Sequence, residues 1–306
     1  MVQTNCVKGK ILIVCGATAT GKTALAVECA KLLESEVISA DSMNVYSELN
    51  IGTAKPSEEE KQGVRHHMID VVSPFERFTV GGYKELAKPV ADSLIRKNKI
   101  PVVCGGTGFY INSLIYDMSY GNGIGDLEIR NKYKELAGRC GNEAVYEILK
   151  EKDCETAKKL HPNDLKRVIR ALEICDSGIK KSEITDELTP VYDYSAYCIT
   201  YPRDELYKRI DKRVDIMIEN GLVEEVISLK KQGVTLENQC MQGIGYKEIF
   251  SYLSGEISLE EAIDLIKLNT RHYAKRQITF FKKLPKLIEL QPDKPEKIAE
   301  RICNEL

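Results

Sequence analysis

Short unbroken apolar runs alternate along the chain with longer stretches whose apolar positions recur at helical spacing. Lys10-Ile11-Leu12-Ile13-Val14 is the first such run, suited to a strand buried on both faces of a parallel sheet. Ala24 to Leu33 then reads as a helix, with Leu25, Cys29 and Leu32 at helical spacing. Glu36 to Ala40 and Ile100 to Cys104 predict two further strands, with a strand-like stretch from His66 to Val71 between them. Ser57 to Gln62 reads as a short charged helix. Lys84 to Arg96 predicts an amphipathic helix that Pro89 either kinks or opens. From Leu127 to about Leu188 the pattern is helical. Strand character returns at Tyr197 to Tyr201, ahead of a long helix expected to bury Leu206, Ile210, Val214 and Met217, with Arg209 and Arg213 beside that stripe. A last long helix, Leu259 to Phe281, is expected to bury Ile263, Ile266, Tyr273, Ala274, Ile278 and Phe281, and Ile288 to Leu290 a final strand.

This alternation predicts an α/β protein with a parallel sheet flanked by helices. Gly121-Asn122-Gly123-Ile124-Gly125 interrupts it, and the helical stretch beyond predicts an insertion. The expected organisation is a core from 1–120 and 196–306, with a helical insertion domain at 121–195.

Between the first strand and first helix lies Gly16-Ala17-Thr18-Ala19-Thr20-Gly21-Lys22-Thr23, a match to G-x-x-x-x-G-K-[ST] in the strand–loop–helix setting that gives the pattern meaning. Glycines at both ends let successive backbone N–H groups point at one anion, with a helix N-terminus behind them. Lys22 adds a point charge, and the Thr23 hydroxyl is a candidate ligand for Mg²⁺. This predicts binding of a di- or triphosphate and does not by itself imply hydrolysis. No aspartate follows the Ile100–Cys104 strand, where an NTPase of this type would carry its second metal-binding acid. The chain runs there into Gly105-Gly106-Thr107-Gly108-Phe109-Tyr110 instead.

The second strand ends on Asp41, and ligands of parallel α/β sheets gather beyond the carboxyl ends of strands. Asp41 therefore faces the same crevice as Lys22, unless it merely starts a turn or caps a helix. The glycine-rich end of the Ile100–Cys104 strand lets a substrate approach the backbone there. His66 and His67 are adjacent, so on a strand they point to opposite faces, which argues against a zinc site.

Charge changes the picture only locally. The 306 residues carry a net charge of −2, with 43% hydrophobic and 29% charged residues, as expected of a globular protein. Basic residues nevertheless cluster late in the chain. In His161-Pro162-Asn163-Asp164-Leu165-Lys166-Arg167-Val168-Ile169-Arg170, Asn163 or Asp164 caps a helix whose apolar stripe is Leu165, Val168, Ile169 and Leu172. Lys166, Arg167 and Arg170 lie off that stripe. Arg271, Lys275, Arg276 and Lys282 do the same on the last long helix. Such faces, interleaved with Tyr246, Tyr273 and Phe280, suit a phosphodiester backbone, or they are simply solvated. Ten cysteines include no C-x-x-C pair, and Cys15, Cys29, Cys104 and Cys175 lie in apolar runs, as buried thiols of a reducing compartment do. No apolar run approaches membrane length, and a cytoplasmic protein is expected.

Taken in order, the motifs resemble those of the tRNA dimethylallyltransferase family. Its G-P-T-A-S-G-K-T corresponds to Gly16–Thr23 and its D-S-x-Q-V-Y to Asp41-Ser42-Met43-Asn44-Val45-Tyr46. Counterparts of I-G-T-A-K-P, H-H-x-I-D, G-G-T-G-x-Y, H-P-N-D-x-x-R-x-x-R-A-L-E, G-x-x-E-E, I-G-Y-K-E and A-K-R-Q-x-T-W-F stand in the same order at Ile51–Pro56, His66–Asp70, Gly105–Tyr110, His161–Glu173, Gly221–Glu225, Ile244–Glu248 and Ala274–Phe281. Ala17, Asn44 and Phe280 depart from the family's proline, glutamine and tryptophan. The resemblance implies a P-loop NTPase-like core and attack by the N6 amine of adenosine 37, beside the tRNA anticodon, on C1 of dimethylallyl diphosphate. It implies catalytic roles for Asp41, Thr18 and Arg213, with Asp41 accepting the amine's proton. The diphosphate would lie on Gly16, Ala17, Thr18, Ala19, Thr20, Gly21, Lys22 and Thr23, with Mg²⁺ partly held by Thr23. The anticodon stem-loop would meet Asp41, Ser42, Met43, Asn44, Thr107, Arg130, Lys166, Arg167, Arg170, Gly245, Tyr246, Lys247, Lys275, Arg276, Gln277, Phe280 and Lys282. The acting species is expected to be a monomer. Two other readings of the loop are a P-loop kinase of a nucleoside or small alcohol, and a non-catalytic nucleotide switch that binds RNA.

Overall fold

The computed structural model describes residues 9–116, 127–184 and 189–306. The glycine run at 121–125 and the expected end of the helical stretch at Leu188 fall outside the described residues. In chain order the elements begin β1 (Lys10–Cys15), α1 (Lys22–Leu32), β2 (Val37–Ser39), α2 (Glu58–Lys61) and β3 (His66–His67). They continue α3 (Val80–Arg96), β4 (Val102–Gly105), α4 (Gly108–Ile115), α5 (Leu127–Lys152), α6 (Cys154–Ala157) and α7 (Leu165–Asp176). After β5 (Asp193–Ile199) come α8 (Arg203–Glu219), α9 (Leu222–Lys231), α10 (Tyr246–Leu253), α11 (Leu259–Phe281), β6 (Leu287–Leu290) and α12 (Pro295–Asn304). The chain divides into two compact units, Met1–Asp117 with Pro190–Leu306, and Met118–Thr189.

The first unit is built on a six-stranded sheet in the order β3-β2-β4-β1-β5-β6, with every pairing parallel. Ile11 to Cys15 have no exposed surface, because helices cover the central strand on both faces. On one face Leu12 and Val14 pack with Leu25, Ala26 and Cys29 of α1 and with Ile298, Ala299 and Ile302 of α12. Ala17, Leu206, Ile210 and Ala274 form a smaller cluster that joins the loop after β1 to α8 and α11. Among the described residues no helix is long and apolar enough to cross a membrane.

Several elements differ from their sequence-based expectation. The stretch at His66 pairs for only two residues, since Met68 and Asp70 take left-handed backbone (φ 63° and 56°) and leave the sheet. Asp70 is held there by an ion pair with Lys55 at 2.5 Å. Helix α3 begins at Val80, where the Thr79 hydroxyl accepts the Gly82 N–H, and runs through Pro89. Pro89 and Glu85 are both exposed, so the carbonyl that loses its helical partner lies on the solvent side. Strand β5 opens at Asp193, four residues before the expected start, with Tyr194 buried. On α11, Ile278 is 38% exposed, and Gln277 takes the buried position beside it.

The second unit is helical. Gly141, at φ 83°, interrupts α5, and Tyr133, Val145 and Leu149 pack with Val168, Ile169 and Leu172 of α7. Asp164, not Asn163, caps α7. At the start of α6 the buried Asp153 carboxylate accepts from Thr156 N at 3.0 Å, the Thr156 hydroxyl at 2.6 Å and Ser182 N at 2.9 Å. Burial alone would raise this carboxyl, but the bonds from Thr156 and Ser182 outweigh it and hold the group well below the usual carboxylate range.

This packing sets two expected outcomes. Asp153→Ala leaves two backbone N–H groups without an acceptor and should cost about 2 kcal/mol in urea unfolding at pH 7. A depressed folded pKa stabilises the fold above the unfolded value, so this difference should be complete at neutral pH and shrink as pH falls below about 4. Separately, a Cβ on Gly105 would stand 2.1 Å from the Ala40 carbonyl oxygen. Gly105→Ala should therefore force the ends of β2 and β4 apart and lower stability by about 1–3 kcal/mol in the same assay.

Candidate active site

The carboxyl ends of β1, β2 and β4 open on a cavity of about 470 Å³. The loop after β1 lies along it, and Gly16 (φ 125°) and Gly21 (φ 87°) adopt the backbone that the turn requires. Gly21 stands at the N-terminus of α1, so the loop leads its N–H groups into the helix dipole. The loop is braced from several sides. Thr20 Oγ1 donates to the Ala17 carbonyl at 3.0 Å, Lys22 Nζ donates to the same oxygen at 2.5 Å, and Arg209 Nε donates to the Ala19 carbonyl at 2.8 Å. Thr18 N donates to Gln277 Oε1 at 2.9 Å. Thr18, Lys22 and Thr23 face the cavity, while Ala17 and Thr20 are buried beneath it.

Asp41 enters from the end of β2. Its Oδ1 accepts Met43 N at 2.8 Å and Asn44 N at 3.4 Å, which fixes the carboxylate. Among the described residues Oδ2 makes no hydrogen bond, so a lone pair remains for a proton. The turn is tied to β4 by Ser42 N donating to Thr107 Oγ1 at 3.0 Å, and by Thr107 N donating to the Ala40 carbonyl at 3.0 Å. Arg213 reaches the cavity from α8, and Met217 one turn on lines it rather than joining the core.

Charge in this cavity is unbalanced. Burial depresses the Lys22 ammonium, with Arg213 adding to the effect and Asp41 opposing it. Burial also depresses Arg213, again offset in part by Asp41. Tyr273, on α11, is pushed up to about 12 by burial and then by the Asp41 charge. Two desolvated cations near one carboxylate form a site that an anion with more than one negative charge would complete.

The remaining predicted contacts divide. Ser42, Met43, Asn44 and Arg276 line the cavity, and Arg276 also stands 5.7 Å over the Tyr273 ring. Lys247, Lys275 and Lys282 are exposed. Phe280 is half-buried, packing edge-on against the exposed Phe109 at 5.5 Å, and only a glycine at 108 admits its ring. In the helical unit Lys166 and Arg167 are exposed, while Arg130 makes a bidentate pair with the buried Glu173 at 2.7 and 3.1 Å, which Arg170 joins at 3.1 Å. Two expectations fail. Tyr246 has no exposed surface and donates to Glu225 at 2.6 Å, so it offers no surface for an RNA contact in this structure. Glu225 also accepts the N–H groups of Asn50, Ile51 and Gly52, which makes Tyr246 part of a clamp on that loop. Gly245 beside Tyr246 is likewise buried, whereas Gln277, 5% exposed, lines the cavity and bonds the phosphate loop. Phe109 lies outside the expected set of contacts, and Tyr273, expected beside the basic face, lines the cavity.

A family model described as IPP transferase matches residues 44–284, and one described as Isopentenyl transferase matches residues 9–74. The chain is 46% identical over 299 residues to the tRNA dimethylallyltransferase of Acetivibrio thermocellus, covering 95% of this chain and 96% of that one. It is 48% identical over 286 residues to that of Caldanaerobacter subterraneus subsp. tengcongensis, covering 89% of each. Among solved structures, the full-length tRNA isopentenylpyrophosphate transferase of Bacillus halodurans superposes with a TM-score of 0.73 at 38% identity, covering 97% of both chains. A eukaryotic dimethylallyltransferase acting on tRNA gives 0.81 at 30% identity, covering 93% of this chain and 74% of that one.

The electrostatics predict that inorganic pyrophosphate stabilises the protein. At a hundred times its dissociation constant the gain should be about 2.7 kcal/mol, seen as a raised unfolding temperature. Lys22→Ala should abolish most of that rise, and an equal rise in both proteins would show that the anion binds elsewhere.

Proposed function

This chain belongs to the IPP transferase family, and on that premise we propose that it transfers a dimethylallyl group from dimethylallyl diphosphate to the N6 amine of adenosine 37, beside the anticodon of tRNA. The observation that carries the reading is one cavity holding the phosphate loop, Arg213 and a carboxylate with a free oxygen. The N6 lone pair attacks C1 of the prenyl group as the C1–O bond breaks, and diphosphate leaves. Lys22, Arg213, the Thr18 hydroxyl and the remaining loop amides take up the charge that develops on the leaving group. Asp41 Oδ2 accepts the proton that the amine loses, because the exocyclic amine is a poor nucleophile until that proton is shared.

Mg²⁺ is part of the proposal. No cluster of three acidic, histidine or cysteine side chains that would cage a metal occurs among the described residues. Thr23 nevertheless lines the cavity, and Mg²⁺ commonly takes one or two protein ligands and completes its shell with substrate phosphate and water. Bound by Thr23 and the diphosphate, it would neutralise leaving-group charge. The target base must leave its stack to reach a recessed Asp41, which suits a single-stranded loop. Lys275, Arg276 and Lys282 on α11, with Lys166, Arg167 and Arg170 in the helical unit, are the proposed grips on the anticodon stem-loop. Loop, base and arginine all come from one chain, so the monomer is the proposed acting unit. The tRNA substrate makes the cytoplasm the proposed compartment.

The direct test incubates the protein with unmodified tRNA and dimethylallyl diphosphate in ATP-free buffer and looks for prenylated adenosine by mass spectrometry. Transfer is expected without ATP. Hydrolysis of ATP stimulated by tRNA, or a requirement for ATP, would instead support a kinase. Asp41→Asn keeps the size and the turn but not the charge, and should lower turnover about 10²–10⁴-fold with tRNA affinity little changed. Near-normal turnover would remove Asp41 from the chemistry.

A further inference from the structure

Gln277 is an anomaly on its helix. It occupies the buried stripe of α11, between Ala274 and Phe281, where an apolar side chain would be expected. A buried carboxamide costs free energy unless both its ends are bonded, and here both are. Oε1 accepts the Thr18 N–H at 2.9 Å, and Nε2 donates to the Gly106 carbonyl at 3.0 Å. The two bonds also fix which end is which, because the reversed amide would set donor against donor and oxygen against oxygen. The fit leaves no room: a Cβ on Gly106 would lie 2.1 Å from Nε2.

This bridge spans two of the strand ends that build the site. Thr18 sits in the phosphate loop after β1, and Gly106 opens the turn after β4 that also holds the Asp41 turn through Thr107. Its position further determines what the loop offers an anion. The Thr18 N–H would ordinarily point toward bound phosphate, but here it is satisfied by a carbonyl oxygen. The cradle therefore works with Lys22, hydroxyl groups and its other amides, in a geometry set from outside the loop.

From this we propose that Gln277 is a positioning residue for the diphosphate, holding the phosphate loop at a set distance from the Asp41 side of the cavity, and is not a contact to tRNA. The inference rests on the prenyl-transfer reading for its substrate but on the two hydrogen bonds for its substance. Gln277→Met keeps the length and removes both bonds. Gln277→Glu keeps an acceptor for Thr18, loses the donor to Gly106 and adds a negative charge beside the diphosphate.

Three quantities separate the roles: KM for dimethylallyl diphosphate, the dissociation constant for tRNA with its salt dependence, and the thermal shift given by inorganic pyrophosphate. With Met, KM for the diphosphate should rise about tenfold, the scale of one or two lost hydrogen bonds, and the pyrophosphate shift should shrink. With Glu both effects should be larger. Affinity for tRNA and its salt slope should stay within about twofold in both variants, since no phosphate contact is lost. Weakened tRNA binding with an unchanged diphosphate KM and pyrophosphate shift would overturn the proposal, as would no change in any of the three. If Met does not fold, Glu alone carries the comparison. The pyrophosphate shift needs no prenyl transfer. Wild-type protein that fails to prenylate tRNA would therefore refute the proposed function, while a shift lost in the variants would still support the role of Gln277.

Discussion

The site depends on the register of three parallel strands. Cys15 of β1 stands opposite Gly105 of β4, and Ser39 of β2 opposite Cys104, so three chains leave the sheet at nearly one level. Each strand end carries a different chemical part: the phosphate loop after β1, Asp41 after β2, and the Gly106–Thr107 turn after β4. The approach between β2 and β4 is close enough that Ala40 N donates to the Cys104 carbonyl at 2.7 Å, and no Cβ fits at Gly105. A shift of one residue in any of these pairings would turn Asp41 away from Lys22. The geometry of the site is thus a property of backbone pairing before it is one of side chains.

That geometry concentrates charge where water is scarce. Lys22 and Arg213 are each depressed by burial, and the single carboxylate of Asp41 offsets them only in part. A protein holds such an imbalance at a cost to stability, and an arriving diphosphate would remove it. In the proposed reaction the same cations would bind the substrate's diphosphate and stabilise it as a leaving group. On that proposal, binding and bond breaking would draw on one set of residues, and the acid–base step on a carboxylate at the end of a neighbouring strand.

Much of this is legible in the amino-acid sequence alone. The phosphate loop carries its own context of strand, glycines and helix, and Asp41 follows from the rule that ligands collect at the carboxyl ends of parallel strands. The misreadings share a physical origin. Periodicity says which residues share a face, not what covers that face. Tyr246 and Gln277 look available in sequence because an aromatic between a glycine and a lysine and a polar residue in a basic helix both suit RNA. Tyr246 is instead sealed under the 50–52 loop, and Gln277 against the loop at 18. Residue types overstate the length of the strand at His66, because left-handed backbone at Met68 and Asp70 leaves no glycine or asparagine to mark it. Gly105 suggests room for a substrate, yet a Cβ there would meet the carbonyl oxygen of Ala40, just past β2.

Helix α11 keeps two kinds of chemistry on separate faces. Its outward residues Lys275 and Lys282 are exposed cations, and its inward Gln277 reaches the phosphate loop from the opposite side of the same turns. A polynucleotide is attracted by charge that salt screens, whereas the bonds of Gln277 are short, neutral and buried, and salt hardly affects them. Between the two faces Ala274 and Phe281 are locked into the core, so the helix is a rigid spacer rather than a hinge. On the proposed reading, the cationic face can therefore change with the RNA bound there, as long as the residues facing the sheet keep the phosphate loop in place.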